Sequence, residues 1–308
     1  MEHIPVLLQE SLNGLNVRPD GIYVDGTLGC GGHAAEIAKR ITTGRLIVID
    51  RDMDAITKSK ERLSAYFDRI TFAHGNFKDI KNILNDEGIN KVNGMLFDLG
   101  VSSPQLDTAE RGFSYKYDAL LDMRMDQNQK QTAFEIINNR QEDELRKIFY
   151  KYGEERYSKQ IARAIVKKRE ASPITTTFEL SETIISALPA AARREAGHPS
   201  KRCFQALRIV VNDELDSIIQ MLDSALELLD QRGRICLISF HSLEDRLVKR
   251  AFAAGAKGCI CSGDMPVCVC GRKPFLKLIT RKPVMAGESE TEINPRARSA
   301  KLRIAERL

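Results

Sequence analysis

Short apolar runs alternate with helical patterns over the first hundred residues, and this alternation restricts the fold more than any other feature of the chain. The segments IYVDGTLG, RLIVID, ITFAHGNF and NGMLFDLG have the length and composition of strands. Segments with helical periodicity, such as HAAEIAKRI, separate them. Strands that alternate with helices form parallel sheets covered on both faces. The sequence therefore predicts an α/β domain.

The strand pattern is lost after Pro104, and residues 109–203 are predicted to be helical. Leu145 and Phe149 belong to one apolar helix face, and Thr176 with Glu179 matches a capping box that opens another helix. These features indicate a helical domain inserted into the α/β domain.

The α/β pattern resumes with a helical tract from about Phe204 to Asp230 and the strand GRICLISF. The helix SLEDRLVKRAF follows, and RSAKLRIAE alternates like a last strand. The predicted organisation is an α/β domain made of residues 1–108 and 204–308, interrupted by the helical domain at 109–203.

The stretch DGTLGCGGH, residues 25–33, follows the first predicted strand and contains four glycines. Because glycine loses the most backbone freedom on folding, such a loop indicates close approach of a ligand to the main chain. Gly29, Gly31 and Ala34 fit G-x-G-x-x-A, and Asp50 ends the second strand 21 residues after Gly29. A carboxylate there can accept hydrogen bonds from ribose hydroxyls. Two ligands fit: a dinucleotide, or S-adenosylmethionine, which has ribose and adenine but no phosphate.

The segment LFDLGVSSPQLD ends a strand at Asp98, at the same edge of the predicted sheet. Methylation of an exocyclic amine requires an acceptor that takes hydrogen bonds from the NH2 group and directs its lone pair toward the methyl donor. Asp98 suits that role. A dehydrogenase would require a proton-transfer pair and a second nucleotide-binding half, for which no convincing spacing is found. The pattern favours methyl transfer over hydride transfer.

Charge is nearly balanced, at +5, but basic residues cluster. Seven lie between Lys151 and Arg169, and Arg296, Arg298, Lys301, Arg303 and Arg307 crowd the carboxyl end. Such clusters are typical of polyanion binding and equally of solvated helix faces. No apolar run approaches the roughly 18 residues that span a bilayer, and the start lacks the features of a signal peptide. A cytoplasmic location without membrane contact is expected.

In the cytoplasm the seven cysteines should be thiols or metal ligands. Four of them, in CICSGDMPVCVC, are Cys259, Cys261, Cys268 and Cys270. They could form a tetrahedral zinc site. Since C-x-C pairs are less diagnostic than C-x-x-C pairs, a zinc site and a set of plain thiols are both open. Cys30 reads as a small loop residue rather than a nucleophile, because no base partner is evident.

Ten stretches, in one order from end to end, resemble the bacterial family of small-subunit ribosomal RNA cytosine-N4 methyltransferases. They are HIPVLLQE (3–10), YVDGTLGCGGHA (23–34), VIDRD (48–52), LFDLGVSSPQLD (96–107), RGFSY (111–115), LDMRMD (121–126), YGEERYSKQIARAI (152–165), FQALRIVVNDEL (204–215), SFHSLEDRLVKR (239–250) and NPRARSAKLRIAER (294–307).

The resemblance implies a class I (Rossmann-like) methyltransferase domain with an inserted helical substrate-recognition domain. It implies S-adenosylmethionine as the donor and a cytosine in the decoding region as the acceptor, within small-subunit ribosomal RNA or the assembled small subunit. It implies Asp98 as the catalytic residue. The cofactor-binding residues that it implies are Gly31, Gly32, His33, Asp50, Phe77, Asp98 and Gln105.

Several residues in these stretches have a structural alternative to a functional role. His33 could cap a helix, His241 could pack beneath the edge of the sheet, and Glu244 could cap or pair with an arginine. The same holds for Asp122, Asp126, Arg296 and Arg298. Two other functions stay open at this point: a nucleotide-dependent oxidoreductase, and a ribosome-assembly factor that uses the cofactor only for stability.

Overall fold

The computed structural model describes residues 4–195, 197–259, 261, 267 and 270–308. The chain divides into two compact units. The first consists of Met1–Gly100 with Leu215–Leu308, and the second is Val101–Glu214. The second unit is longer than the predicted insertion at both ends, because Val101 and Leu106 before it and Phe204 and Val211 after it also pack on its core. Its assignment to substrate recognition stays a prediction.

The first unit is built on a seven-stranded sheet, counted over the described residues, in the order β3-β2-β1-β4-β5-β7-β6. The strands are β1 (Ile22–Asp25), β2 (Arg45–Asp50), β3 (Ile70–His74), β4 (Val92–Asp98), β5 (Leu229–Ser239), β6 (Leu276–Leu278) and β7 (Lys301–Arg307). β7 runs antiparallel to β5 and β6, and the other neighbouring pairs are parallel. The strand order reverses between β1 and β4, where doubly wound folds bind ligands. The predicted Rossmann-like α/β fold is confirmed.

Helices occur in both units. In chain order they are α1 (Leu8–Leu15), α2 (Gly32–Arg40), α3 (Met53–Leu63), α4 (Ile80–Asp86), α5 (Ser103–Asp107), α6 (Ala133–Asn139), α7 (Glu142–Gly153), α8 (Ser158–Ala171), α9 (Thr177–Ala187), α10 (Ala190–Arg193), α11 (Lys201–Asn212), α12 (Glu214–Leu228), α13 (Ser242–Ala256) and α14 (Glu288–Ile293).

The strands of the sheet are apolar on both faces because helices cover each side. Successive residues of a strand point to opposite faces. Met95 and Phe97 of β4 lie in a core cluster with α4, α12 and α13. Leu96, between them, lies in a second cluster with α1, α2 and α3. Because helices cover both faces of the sheet, polar residues can collect only where the parallel strands begin and end.

The helical unit has its own core. Leu145 and Phe149 of α7 are buried in it, as their spacing predicts. The predicted capping box at Thr176 and Glu179 is confirmed, with the backbone N–H of Glu179 donating to Thr176 Oγ1 at 3.3 Å.

Two details of the predicted pattern are wrong. The tract from Phe204 to Asp230 is two helices, because Asp213 adopts a left-handed backbone (φ +52°) that ends α11 before α12 begins. Its last residues, Leu229 and Asp230, already belong to β5. The sequence also gave no sign of β6, since three residues are too few to show a period.

The LDMRMD stretch has a structural role within the helical unit. The carboxylate of Asp122 forms an ion pair with Arg124 at 2.7 Å. Asn212 is fully buried, and its Nδ2 donates to the carbonyl of Met123 at 2.7 Å. Its Oδ1 accepts from the backbone N–H of Met125 at 2.8 Å. Asn212 therefore ties this stretch to α11.

Replacing Asn212 with Ala should destabilise the protein by roughly 2–4 kcal/mol, because it leaves a buried carbonyl and a buried N–H without their partner. Urea denaturation measures the change. The matched control is Asn128→Ala, at an exposed side chain of the same loop, which should change the free energy of unfolding by less than about 0.5 kcal/mol. Equal stability of the Asn212→Ala and Asn128→Ala variants would contradict the role of Asn212.

Candidate functional site

Three aspartates end neighbouring strands of the sheet. Asp25 is the last residue of β1, Asp50 of β2 and Asp98 of β4. β1 pairs in parallel with both β2 and β4, so the three carboxylates meet at the carboxyl edge, next to the point where strand order reverses. The carboxyl ends of these parallel strands, called the carboxyl edge of the sheet below, are the candidate site in the first unit.

The glycine loop is attached to these strand ends by hydrogen bonds. The backbone N–H of Gly29 donates to Asp50 Oδ2 at 2.7 Å, and that of Asp52 donates to Asp50 Oδ1 at 2.9 Å. The backbone N–H of Asp98 donates to Thr27 Oγ1 at 2.6 Å. These hydrogen bonds thus hold the glycine loop against the ends of β2 and β4.

The glycines of the loop are required for different reasons. Gly29 has φ +49°, and among the described residues beyond its chain neighbours a Cβ placed there would have only the carbonyl of Thr27 nearby, at 3.9 Å, so the loop is open on that side. Gly32 is different, because a Cβ there would lie 2.3 Å from Cγ of Pro5. Packing against Pro5 therefore suffices to explain Gly32, whereas the open surface at Gly29 leaves room for a ligand.

His33 points from the first turn of α2 toward Asp98. Its Nε2 lies 3.1 Å from the carbonyl of Val6, and its Nδ1 lies 4.0 Å from Asp98 Oδ2. A carbonyl only accepts, so Nε2 carries the hydrogen and Nδ1 faces the carboxylate. His33 does not cap α2, since that position belongs to Gly31. Of the two alternatives for His33, the helix cap is wrong.

The carboxylates at this edge are hard to ionise. Burial raises the pKa of Asp98 well above its ordinary value, and the charges of Asp25 and Glu244 raise it further. Oδ1 of Asp98 is buried and accepts no hydrogen bond from the described residues. Burial also raises the pKa of Asp50. A hydrogen-bond donor or a cation bound at this edge would therefore stabilise these carboxylates.

Asp25 was not singled out as a site residue from the sequence. It is 1% exposed, and burial raises its pKa to about 7, with a smaller contribution from Asp50. The available signal was its position, because Asp25 ends its strand as Asp50 and Asp98 end theirs.

Phe77 and Gln105 have structural contacts. Phe77 lies in a short turn after β3 and packs edge-on against Phe97, with ring centroids 6.0 Å apart. Gln105 belongs to the helical unit, where its Oε1 accepts from the backbone N–H of Ser102 at 3.0 Å. The structure thus gathers Gly31, His33 and the aspartates at one edge, and it gives Gln105 a capping role in the other unit.

His241 and Glu244 form a capping box at the start of α13. The backbone N–H of Glu244 donates to His241 Nδ1 at 3.4 Å, and Glu244 Oε2 accepts from the backbone N–H of Phe240 at 2.8 Å. Of the two alternatives for Glu244, capping is confirmed. The spacing H-S-L-E indicates a capping box in the sequence, but histidine is an unusual residue at the cap position, so the pattern is easily missed.

The basic clusters have different surroundings. In β7, Arg303 and Lys301 both pair with Asp245, at 2.6 and 3.6 Å. On α8 the side chains of Lys159, Arg163 and Lys167 are exposed. They form no ion pair or side-chain hydrogen bond with the described part of the chain. The charge on α8 is therefore available to an external partner.

Three cysteines of the predicted cluster come together. The Sγ atoms of Cys259, Cys261 and Cys270 lie within 4.8 Å of one another. Cys268, the fourth predicted ligand, lies outside the described residues. None of the described helices combines the length and apolarity needed to cross a membrane.

The model of the MraW methylase family matches residues 1–308 of this chain. The chain belongs to this methylase family. It is similar at 54% identity to the ribosomal RNA small subunit methyltransferase H of Brevibacillus brevis, over 99% of this chain and 98% of that one. The protein of the same name from Halothermothrix orenii is 53% identical, over 100% and 99%. That from Clostridioides difficile is 50% identical, over 99% of each.

Membership of the methylase family confirms the resemblance found in the sequence, and it makes the protein an enzyme. The solved rRNA methylase from Streptococcus thermophilus has a TM-score of 0.46 and 10% identity to this chain, over 100% and 99% of the two chains. The assignment therefore rests on the sequence matches.

Replacing Asp25 with Asn should make stability less dependent on pH between 5 and 8. The pKa of Asp25 is raised in the folded state, so its contribution to stability is complete below about pH 4 and declines as the pH rises through 7. The loss is at most about 4 kcal/mol in wild type. Thermal unfolding at both pH values measures it.

The control is Asp20→Asn, at an exposed position before β1. This variant should keep the wild-type decrease in Tm from pH 5 to pH 8, whereas Asp25→Asn should show a smaller one. An unchanged pH dependence in Asp25→Asn would show that this carboxyl group is already ionised at pH 5.

Proposed function

We propose that this protein methylates the exocyclic N4 amine of a cytosine in the decoding region of small-subunit ribosomal RNA, with S-adenosylmethionine as donor, in the cytoplasm. The names of its relatives support the class of RNA. The observation that carries the proposal is the buried acceptor Asp98 Oδ1, at the end of β4 beside the glycine loop.

The residues of the carboxyl edge fit the proposed donor. Asp50, at the end of β2, has the position of a ribose-binding carboxylate, and the open side of Gly29 leaves the main chain accessible. S-adenosylmethionine supplies an electrophilic methyl group carried on a sulfonium cation. The residues proposed to hold it are Gly31, Gly32, His33, Asp50, Phe77, Asp98 and Gln105.

Asp98 is the proposed catalytic residue. The N4 amine of cytosine is a weak nucleophile because its lone pair is conjugated with the ring, and an acceptor that binds its hydrogens can orient the lone pair for attack. When N4 gains a methyl group it must lose one proton. Asp98 takes that proton as a carboxylate, the form that a neighbouring positive charge favours although burial raises its pKa in the structure without ligands. Nδ1 of His33 lies 4.0 Å from Asp98 Oδ2 and is the nearby group that could receive the proton afterwards.

The oxidoreductase alternative is not supported, because the whole chain matches a methylase family. The assembly-factor alternative is addressed by variants of Asp98, since a binding protein would not depend on this carboxylate for its effect on the ribosome.

We assign contact with the RNA backbone to the helical unit, through the exposed face of α8. Lys159, Arg163 and Lys167 are spaced by four residues, so they lie along one side of the helix. Neutralising phosphates with such a row releases counterions and provides affinity without reading sequence. None of the cysteines 259–270 is among the residues proposed for either substrate.

Replacing Asp98 with Asn should lower the methyl transfer rate by about 100-fold or more, because the amide keeps the size and an acceptor oxygen but cannot take the proton. Labelled S-adenosylmethionine and small ribosomal subunits from cells without this protein provide the assay. Calorimetry on the same variant separates the loss of donor binding from the loss of the chemical step.

The control for Asp98 is Asp86→Asn, at an exposed carboxylate at the end of α4, which should transfer methyl groups at the wild-type rate. A folded Asp98→Asn variant with a wild-type rate would end the assignment of Asp98.

Replacing Lys159, Arg163 and Lys167 together with Gln should weaken binding to the small subunit. It should also reduce the slope of log K against log salt by roughly 2–3, since each lost phosphate contact removes about 0.7–0.9. Binding measured at several salt concentrations gives both quantities.

The control triple variant changes Arg18, Lys91 and Arg232 to Gln, three exposed residues near the amino ends of the strands. It loses the same charge but should keep the wild-type slope. If both triple variants lose affinity equally, the effect is one of net charge and the α8 surface has no special role.

A further inference from the structure

The loop between α13 and β6 brings together three thiols that methyl transfer does not use. We propose that Cys259, Cys261 and Cys270 bind a zinc ion as thiolates, and that the ion fixes this loop. The proposal concerns a second ligand of the protein and does not depend on the identity of the methyl acceptor.

The distances between the sulfurs match tetrahedral coordination. Zinc–sulfur bonds are about 2.3 Å long, which places two ligands of a tetrahedron roughly 3.8 Å apart. The Sγ atoms of Cys259 and Cys270 are separated by 3.8 Å. All three Sγ atoms lie within 4.8 Å of one another, so one ion can reach each of them after small side-chain rotations.

A backbone hydrogen bond supports one of the sulfurs as a thiolate. The N–H of Cys261 donates to Sγ of Cys259 at 3.4 Å. Donation to a sulfur favours its charged form, as hydrogen bonds to other anions do. The C-x-C spacing itself creates this contact, because the second N–H is close enough to reach back to the first side chain.

The two ends of the loop are held together by contacts that involve no cysteine. The backbone N–H of Phe275 donates to the carbonyl of Gly255 at 3.0 Å, and Nη2 of Arg272 donates to the carbonyl of Ala254 at 2.8 Å. A Cβ on Gly255 would lie 2.5 Å from Leu276, so the end of α13 packs directly on β6. Because the fold already holds the two ends of the loop together, bringing the ligands to one ion costs less conformational entropy.

The exposure of the proposed ligands also favours metal binding. Cys259 and Cys270 are exposed, so an ion can reach them. In contrast, burial raises the pKa of the thiols of Cys30 and Cys236, which disfavours metal binding there.

Zinc is the ion proposed for these three thiolates, with the fourth tetrahedral position taken by another ligand such as water. Thiolates are soft ligands, whereas magnesium and calcium prefer oxygen. The loop leads into β6, which pairs only with β7 among the described strands. A metal that closes the loop would therefore stabilise β6, the outermost strand on this side of the sheet.

The test begins with metal analysis of the full chain, purified under reducing conditions without added metal or chelator. About one zinc ion per chain is expected. The variant Cys259→Ser/Cys261→Ser/Cys270→Ser should contain none, and Cys30→Ser should retain it. Circular dichroism and cooperative unfolding show whether the triple variant folds.

A second readout keeps the test valid if the triple variant does not fold. Cobalt(II) added to metal-stripped wild-type protein should produce the visible absorption of tetrahedral cobalt and a near-ultraviolet thiolate charge-transfer band, and zinc should abolish both. Wild-type protein with no zinc and no such bands would overturn the proposal. A disulfide between any two of these cysteines in the reduced preparation, or full zinc content in the triple variant, would also overturn it.

Discussion

Burial of carboxylates at the carboxyl edge of the sheet is the constraint on which the rest of the site depends. Asp25, Asp50 and Asp98 end parallel neighbouring strands, so the sheet itself brings three carboxylates together, with Asp25 fully buried and the other two half-buried. Removing a carboxylate from water favours its protonated form, and the pKa of each of the three is raised. Such an arrangement is costly for folding, and a bound partner that donates hydrogen bonds or carries positive charge would offset that cost.

The fold distributes the hydrogen bonds at this edge unequally. Asp50 receives two backbone N–H groups, from Gly29 and Asp52, which hold it as a rigid acceptor. Asp98 receives none at Oδ1 from the described residues. This difference is the physical basis for proposing different tasks for the two residues, ribose binding for Asp50 and contact with the reacting amine for Asp98.

The sequence was sufficient to place Asp50 and Asp98. The apolar runs of β2 and β4 each end at an aspartate, and adjacent parallel strands must end on the same side of the sheet, so these two residues could be placed without coordinates. The packing of Gly32 against Pro5 could not be predicted in this way, because the two residues are 27 positions apart and no sequence pattern links them. Asp25 ends its strand in the same way, but its raised pKa could not be foreseen, since it arises from burial and from the nearby charge of Asp50. The break at Asp213 was hidden because the apolar period continues on either side of it.

The most direct measurement is the mapping of the transferred methyl group. Small ribosomal subunits from cells without this protein are incubated with the wild-type chain and labelled S-adenosylmethionine, and the labelled nucleotide is identified by digestion and mass spectrometry. A single labelled cytosine in the decoding region, carrying the methyl group on N4, is predicted. A label on a ring carbon, on a ribose hydroxyl or on a base other than cytosine would contradict an edge built around one amine-binding carboxylate.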